Sequence, residues 1–110
     1  MFIDAHTVAD STVLTTDVCI VGAGAAGITL ARELGDGKRD VLLVESGGLE
    51  FEAATQALYS GRNIGRDYFP LDAARLRFFG GTTNHWTGWC KPLNPSDFEK
   101  RLGTFKWLAD

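Results

Sequence analysis

The chain has no apolar run approaching the roughly 18 residues that a membrane-spanning helix needs, so no membrane segment is expected. It also has no lysine- or arginine-rich block: 11 basic residues are scattered among 14 acidic ones, for a net charge of −3. Nothing in that balance points to a nucleic-acid partner. Cysteine is scarce, and Cys19 and Cys90 are too few for a disulfide framework. With no Cys-x-x-Cys and no His/Cys cluster, no metal site is expected. Cys19, inside an apolar run, reads as a small buried hydrophobe, and Cys90 as a packed free thiol rather than a redox group. Histidine is limited to His6 and His85. His6, beside Asp4 and near a terminus with no third partner, reads as solvated. Residues 1–16 lack both the basic and the apolar regions of a secretory signal, so the expected location is cytoplasmic. At 110 residues, 45% of them hydrophobic, the chain can bury one modest core and reads as a single domain. That is short for a two-substrate redox enzyme.

What is present is a dinucleotide-binding fingerprint. An apolar run, Val18 to Val21, enters Gly22-x-Gly24-x-x-Gly27, and a second run, Val41 to Val44, ends in Glu45. Gly22 permits the tight strand-to-helix turn, Gly24 lets a pyrophosphate approach the backbone, and Gly27 lets the helix pack closely on the strand. The helix N-terminus offers free N–H groups and a positive dipole end to the anion. Glu45 lies close to the spacing of about 20 residues at which an acidic side chain accepts from a ribose 2′-hydroxyl, and it would repel a 2′-phosphate. Between the strands, Gly27, Leu30, Ala31 and Leu34 form an apolar stripe at helical spacing. Gly35-Asp36-Gly37 stops that helix. The unbroken apolar run of the second strand predicts burial on both faces. The order is β-α-β, an α/β Rossmann-like unit.

Further along, Ser46-Gly47-Gly48 must be a loop. Phe51, Ala54, Thr55 and Leu58 predict a short amphipathic helix, and Tyr59 to Leu71, broken by Gly61, Gly65 and Pro70, predicts an ordered aromatic loop that packs over something. Arg75 and Arg77 alternate with Leu76 and Phe78 in a brief extended segment; a solvated edge and phosphate or ion-pair duty are equally open. The second unusual stretch is residues 80–90, Gly-Gly-Thr-Thr-Asn-His-Trp-Thr-Gly-Trp-Cys. Its glycines let the backbone approach a planar or phosphorylated ligand, and Thr82, Thr83, Asn84 and Thr87 supply donors and acceptors. On composition alone His85 could be a base, a hydrogen-bonding group, a nucleophile or a structural residue. Trp86 and Trp89 fit a ring-lining role or a core role equally.

The fingerprint, the Val-Leu-Leu-Val-Glu-Ser-Gly-Gly run and Arg-Phe-Phe-Gly-Gly-Thr-Thr-Asn-His-Trp-Thr-Gly together resemble the N-terminal flavin-binding part of the glucose-methanol-choline oxidoreductase superfamily. The nearest branch holds pyranose oxidases and the flavoprotein subunits of bacterial sugar and gluconate dehydrogenases. The resemblance covers about residues 15–100. It implies FAD rather than NAD, with Gly22, Gly24, Gly27, Glu45 and Ser46 on the ADP moiety and Gly81, Asn84, His85 and Thr87 toward the flavin. In that branch a Thr-His-Trp-Thr segment carries a histidine bonded to the flavin 8α-methyl, which would make His85 the attachment residue and Thr87 the ring neighbour. Asn84 replaces the first threonine, and some relatives hold FAD without a covalent bond, so both forms of attachment stay open. A histidyl link would raise the flavin potential and fix the ring.

The same resemblance implies oxidation of a CH–OH group of an alcohol or sugar by hydride transfer to FAD. The proton-abstracting histidine of the family lies in a C-terminal part with no counterpart in this sequence, and neither His6 nor His85 matches it. No catalytic residue is therefore assigned, and residues 1–110 are expected to be a partial FAD-binding domain with no second domain on the chain. Pro92 to Glu99 still resembles the family, with Ser96 as a helix N-cap. The tail beyond Arg101 does not, as a truncated or frame-shifted reading frame would produce. Such a piece should expose apolar sheet edges and aggregate. A non-catalytic nucleotide-binding remnant and an NAD-binding Rossmann unit are the alternatives.

Overall fold

A computed structural model describes residues 1–97. The two strands begin at a pair of aspartates. The Asp40 carbonyl accepts from the N–H groups of Asp17 at 3.0 Å and Val18 at 3.1 Å, and the Asp40 N–H returns a bond to the Asp17 carboxylate at 2.9 Å. From that anchor β1 (Val18–Val21) and β2 (Val41–Val44) run parallel, with Val18 opposite Val41 and Val21 opposite Val44. Parallel neighbours require a crossover. It is supplied by α1 (Ala25–Leu34), which ends where Gly35 turns its N–H back to the Ala31 carbonyl. This is the β-α-β unit that the sequence predicts, a small α/β arrangement consistent with a Rossmann-like unit.

The helix covers one face of the strand pair only. Gly27 is buried and Ala31 and Leu34 are half-buried, but Leu30, expected in the same stripe, is 51% exposed. It lies at the edge of the stripe and looks into an open cleft. On β1 the pattern alternates: Val18 and Ile20 are half-buried while Cys19 is exposed and Val21 is 84% exposed. The expectation of a buried Cys19 is therefore corrected, and on β2 Val41, Leu42 and Leu43 are only half-buried and Val44 is exposed, short of the full burial expected of that strand. On the second face Cys19, Val21 and Val44 are exposed and Leu42 is half-buried.

Beyond β2, α2 (Ala53–Gln56) runs into a tight 3₁₀ turn at Ala57–Tyr59. The helix is where the periodicity predicts it, but its inward residue is Gln56, while Leu58 and Phe51 are exposed. Phe51 instead meets Phe78 edge-on, ring centroids 6.4 Å apart. The loop that follows is tied internally by the Asn63 amide, which donates to the carbonyls of Tyr68 at 3.1 Å and Phe69 at 3.0 Å. It closes on a helical turn, α3 (Leu71–Ala74), that the aromatic-loop pattern concealed. Arg75 is extended, and the chain then runs without helix or strand to a 3₁₀ turn at Gly81–His85.

Trp86 and Trp89 are exposed rather than core, and Trp86 Nε1 donates to the Trp89 carbonyl at 3.0 Å. Cys90 is exposed too, not packed. Ser96 lies within the 3₁₀ turn Pro95–Asp97. The helix expected after it, and the tail from Arg101, lie outside the described residues. Among the described residues no helix is long and apolar enough to cross a membrane.

Candidate nucleotide-binding site

Gly22 leaves β1 with φ +102, a left-handed conformation that side chains disfavour, and its N–H donates to the Val44 carbonyl at 2.7 Å. Gly27 faces it from the first turn of α1. A Cβ there would stand 1.9 Å from the Gly22 carbonyl oxygen, so the helix can lie this close only without one. Gly24 is the N-cap of α1, with no side-chain cap and open space where a Cβ would project. The first N–H groups of a ten-residue helix therefore face an open approach, the arrangement a pyrophosphate requires.

Glu45 braces this turn from the other strand. Its Oε2 accepts from the Ala23 N–H at 2.7 Å, and its Oε1 accepts from the N–H groups of Ser46 at 2.9 Å and Gly47 at 3.1 Å and from Ser46 Oγ at 3.3 Å. Partial burial pushes its pKa up, but the bonds donated by Ala23, Gly47 and Ser46 outweigh burial and hold the carboxyl below its ordinary value. The group is thus ionised and fixed. A carboxylate offers about four lone-pair sites, which leaves Oε2 room to accept from a ribose hydroxyl.

The second glycine motif docks on the first. The Gly80 N–H donates to the Ala23 carbonyl at 2.8 Å, and a Cβ on Gly81 would come within 3.2 Å of the Gly24 Cα. Gly80 and Gly81 both have positive φ, +91 and +56, which turns the chain sharply at this contact. The approach is secured on the β2 side. Phe79 donates its N–H to the Gly48 carbonyl at 2.9 Å, and Arg77 Nε donates to Ser46 Oγ at 2.8 Å. Arg77 also stacks its guanidinium over Tyr59, 5.0 Å from the ring centroid, so it is held against the protein rather than forming a freely solvated edge. Gly47 makes room for the segment: a Cβ there would lie 2.1 Å from the Arg77 carbonyl oxygen.

Gly22, Gly24, Gly27, Glu45, Ser46 and Gly81 are therefore brought together. Asn84 serves the turn itself, its amide donating to the Phe79 and Gly81 carbonyls at 2.9 Å each. Thr82 Oγ1 accepts from the Leu76 N–H at 3.2 Å, and Thr83 Oγ1 bonds the Gly80 carbonyl. His85 and Thr87 are exposed at and beyond the end of the turn, outside the cleft. That cleft, about 510 Å³, is lined by Ile20, Gly22, Gly24, Ala26, Leu30 and Thr82 among others. His6 is remote from it in the chain, and the Asp4 carboxylate accepts from its backbone N–H rather than from its ring. Sequence reasoning missed Gln56 and the bracing role of Arg77.

A family model described as FAD dependent oxidoreductase matches residues 17–107, most of the chain. The chain belongs to the FAD dependent oxidoreductase family. Membership implies FAD as the dinucleotide, and the glycine turn, the uncapped helix start and the fixed carboxylate fit its ADP portion. The match runs through the Gly80–Gly81 segment as well as the fingerprint, so both motifs fall within the family region. No curated protein and no solved structure matches the chain.

Proposed function

We propose that these residues hold the FAD of a flavoprotein of the glucose-methanol-choline type, which oxidises a CH–OH group of an alcohol or sugar. The observation that carries this reading is the bond from the Gly80 N–H to the Ala23 carbonyl, which joins the two motifs on which the resemblance rests. Gly22, Gly24 and Gly27 bring the N–H groups of α1 to the pyrophosphate. Glu45, steadied by Ser46, accepts from the adenosine ribose. Gly81 gives the backbone close approach, and Asn84 shapes the turn that presents His85 to the flavin, with Thr87 beside the ring. FAD, when bound, supplies the hydride acceptor. The chain's own part is to bind and orient it, and no catalytic base is assigned to His6 or His85.

The test is spectroscopic. With FAD bound, His85→Ala and Thr87→Ala should each shift the visible flavin absorption band, and spectra identical to the unaltered chain would overturn their placement. Acid precipitation decides the attachment: flavin retained in the pellet, and released from His85→Ala, identifies the covalent form. Complete release from both identifies FAD held without a bond.

A further inference from the structure

The helix after β2 buries an amide on a side that its predicted stripe of Phe51, Ala54, Thr55 and Leu58 leaves out. Gln56 is 7% exposed, and every polar end of its side chain is used. Its Nε2 donates to the carbonyls of Asp72 at 2.5 Å and Arg75 at 2.6 Å, and its Oε1 accepts from the Arg77 N–H at 3.0 Å. One side chain therefore clamps three backbone groups spread over residues 72–77. Removing it would leave all three without a partner in a part-buried place, the costly way to lose hydrogen bonds.

What leaves this clamp is the segment that reaches the nucleotide turn. From Arg77 onward the chain bonds Ser46, Gly48 and Ala23 in succession. The β-α-β unit does not depend on the clamp, because its own turn is closed by Gly22 on Val44 and by Ala23 on Glu45. We propose that Gln56 is a positioning residue for the flavin end of the cofactor: it sets the 77–81 segment so that the Gly81–His85 turn meets the bound FAD. The inference rests on the proposed placement of that turn at the flavin.

The test compares FAD with ADP, which lacks the flavin end, by calorimetric titration of the full 110-residue chain and of the nearly isosteric Gln56→Met. The unaltered chain should bind FAD more tightly than ADP. In Gln56→Met, FAD affinity should fall about tenfold, as for hydrogen bonds lost from a fixed segment, with ADP affinity kept within about twofold. An equal loss for both ligands would make Gln56 a general support of the fold, and unchanged FAD affinity would leave it no role; either result overturns the inference. Equal affinity for FAD and ADP in the unaltered chain would instead remove the placement of the turn, and the inference with it. Should Gln56→Met fail to fold, hydrogen exchange on the unaltered chain decides. The Arg77 amide should be protected, and further slowed by FAD but not by ADP; exchange indifferent to FAD would overturn the proposal.

Discussion

Replacing Gly27 with alanine sets two known effects against each other at one site. Inside a helix alanine is favoured over glycine by about 1 kcal/mol. Against that, the new Cβ would lie 1.9 Å from the Gly22 carbonyl oxygen and 3.1 Å from its carbonyl carbon. Both are backbone atoms, and Gly22 is fixed by its bond to Val44 and by its positive φ, so neither can swing aside as a side chain would. Helix α1 must shift off β1, at the upper end of overpacking costs, about 3 kcal/mol or more. The net loss is about 2 kcal/mol, which with a urea slope of about 1 kcal/mol/M moves the unfolding midpoint down by about 2 M. Gly24→Ala is the control, since its Cβ meets nothing within 4 Å. It should leave the midpoint in place and weaken FAD binding only. Urea unfolding followed by circular dichroism measures both. A Gly27→Ala chain as stable as the parent would refute the close helix-on-strand packing on which the site is built.

Three further outcomes follow from the same geometry. Gly47→Ala would drive a Cβ against the Arg77 carbonyl, so Arg77 should leave Ser46 and FAD affinity should fall while the β1–β2 pairing persists, readable by titration beside amide exchange. Glu45 has its folded-state pKa held below the ordinary value, so its network stabilises the chain above the ordinary carboxyl pKa and that share is lost as pH falls through the lower folded value. Glu45→Gln should flatten this acid dependence in urea midpoints and cost on the order of 1 kcal/mol at neutral pH, since an amide NH₂ would face backbone N–H donors. Gly22→Ala, placed at φ +102, should destabilise by about 1–2 kcal/mol in the same assay.

The β-α-β unit was legible because each of its signals is local. Gly35 marks the helix end, Asp40 the strand start, and the glycine spacing the turn between them. Burial was less legible: periodicity identifies Val21, Cys19 and Leu30 as apolar but does not say how fully they will be covered, and all three are exposed. The docking of residues 80–81 on residues 23–24 is a contact between segments far apart in the chain, fixed by two positive φ angles that no spacing rule encodes. Gln56 escaped for the opposite reason. Its neighbours Ala54, Thr55 and Leu58 suggested a stripe that leaves Gln56 outside, whereas the buried side is the one from which an amide can reach three backbone groups of the following loop. The turn-shaping role of Asn84 was not legible either: its amide donates to the Phe79 and Gly81 carbonyls, contacts within the turn that no motif spacing marks.

The most direct measurement of the central claim is a fluorescence titration of FAD into the 110-residue chain and into Gly24→Val. The open space beside Gly24 is where the pyrophosphate must come, so the unaltered chain should quench flavin fluorescence saturably and Gly24→Val should not, with the fold intact by circular dichroism. Absence of binding to the unaltered chain, or binding that Gly24→Val leaves unchanged, would contradict that claim.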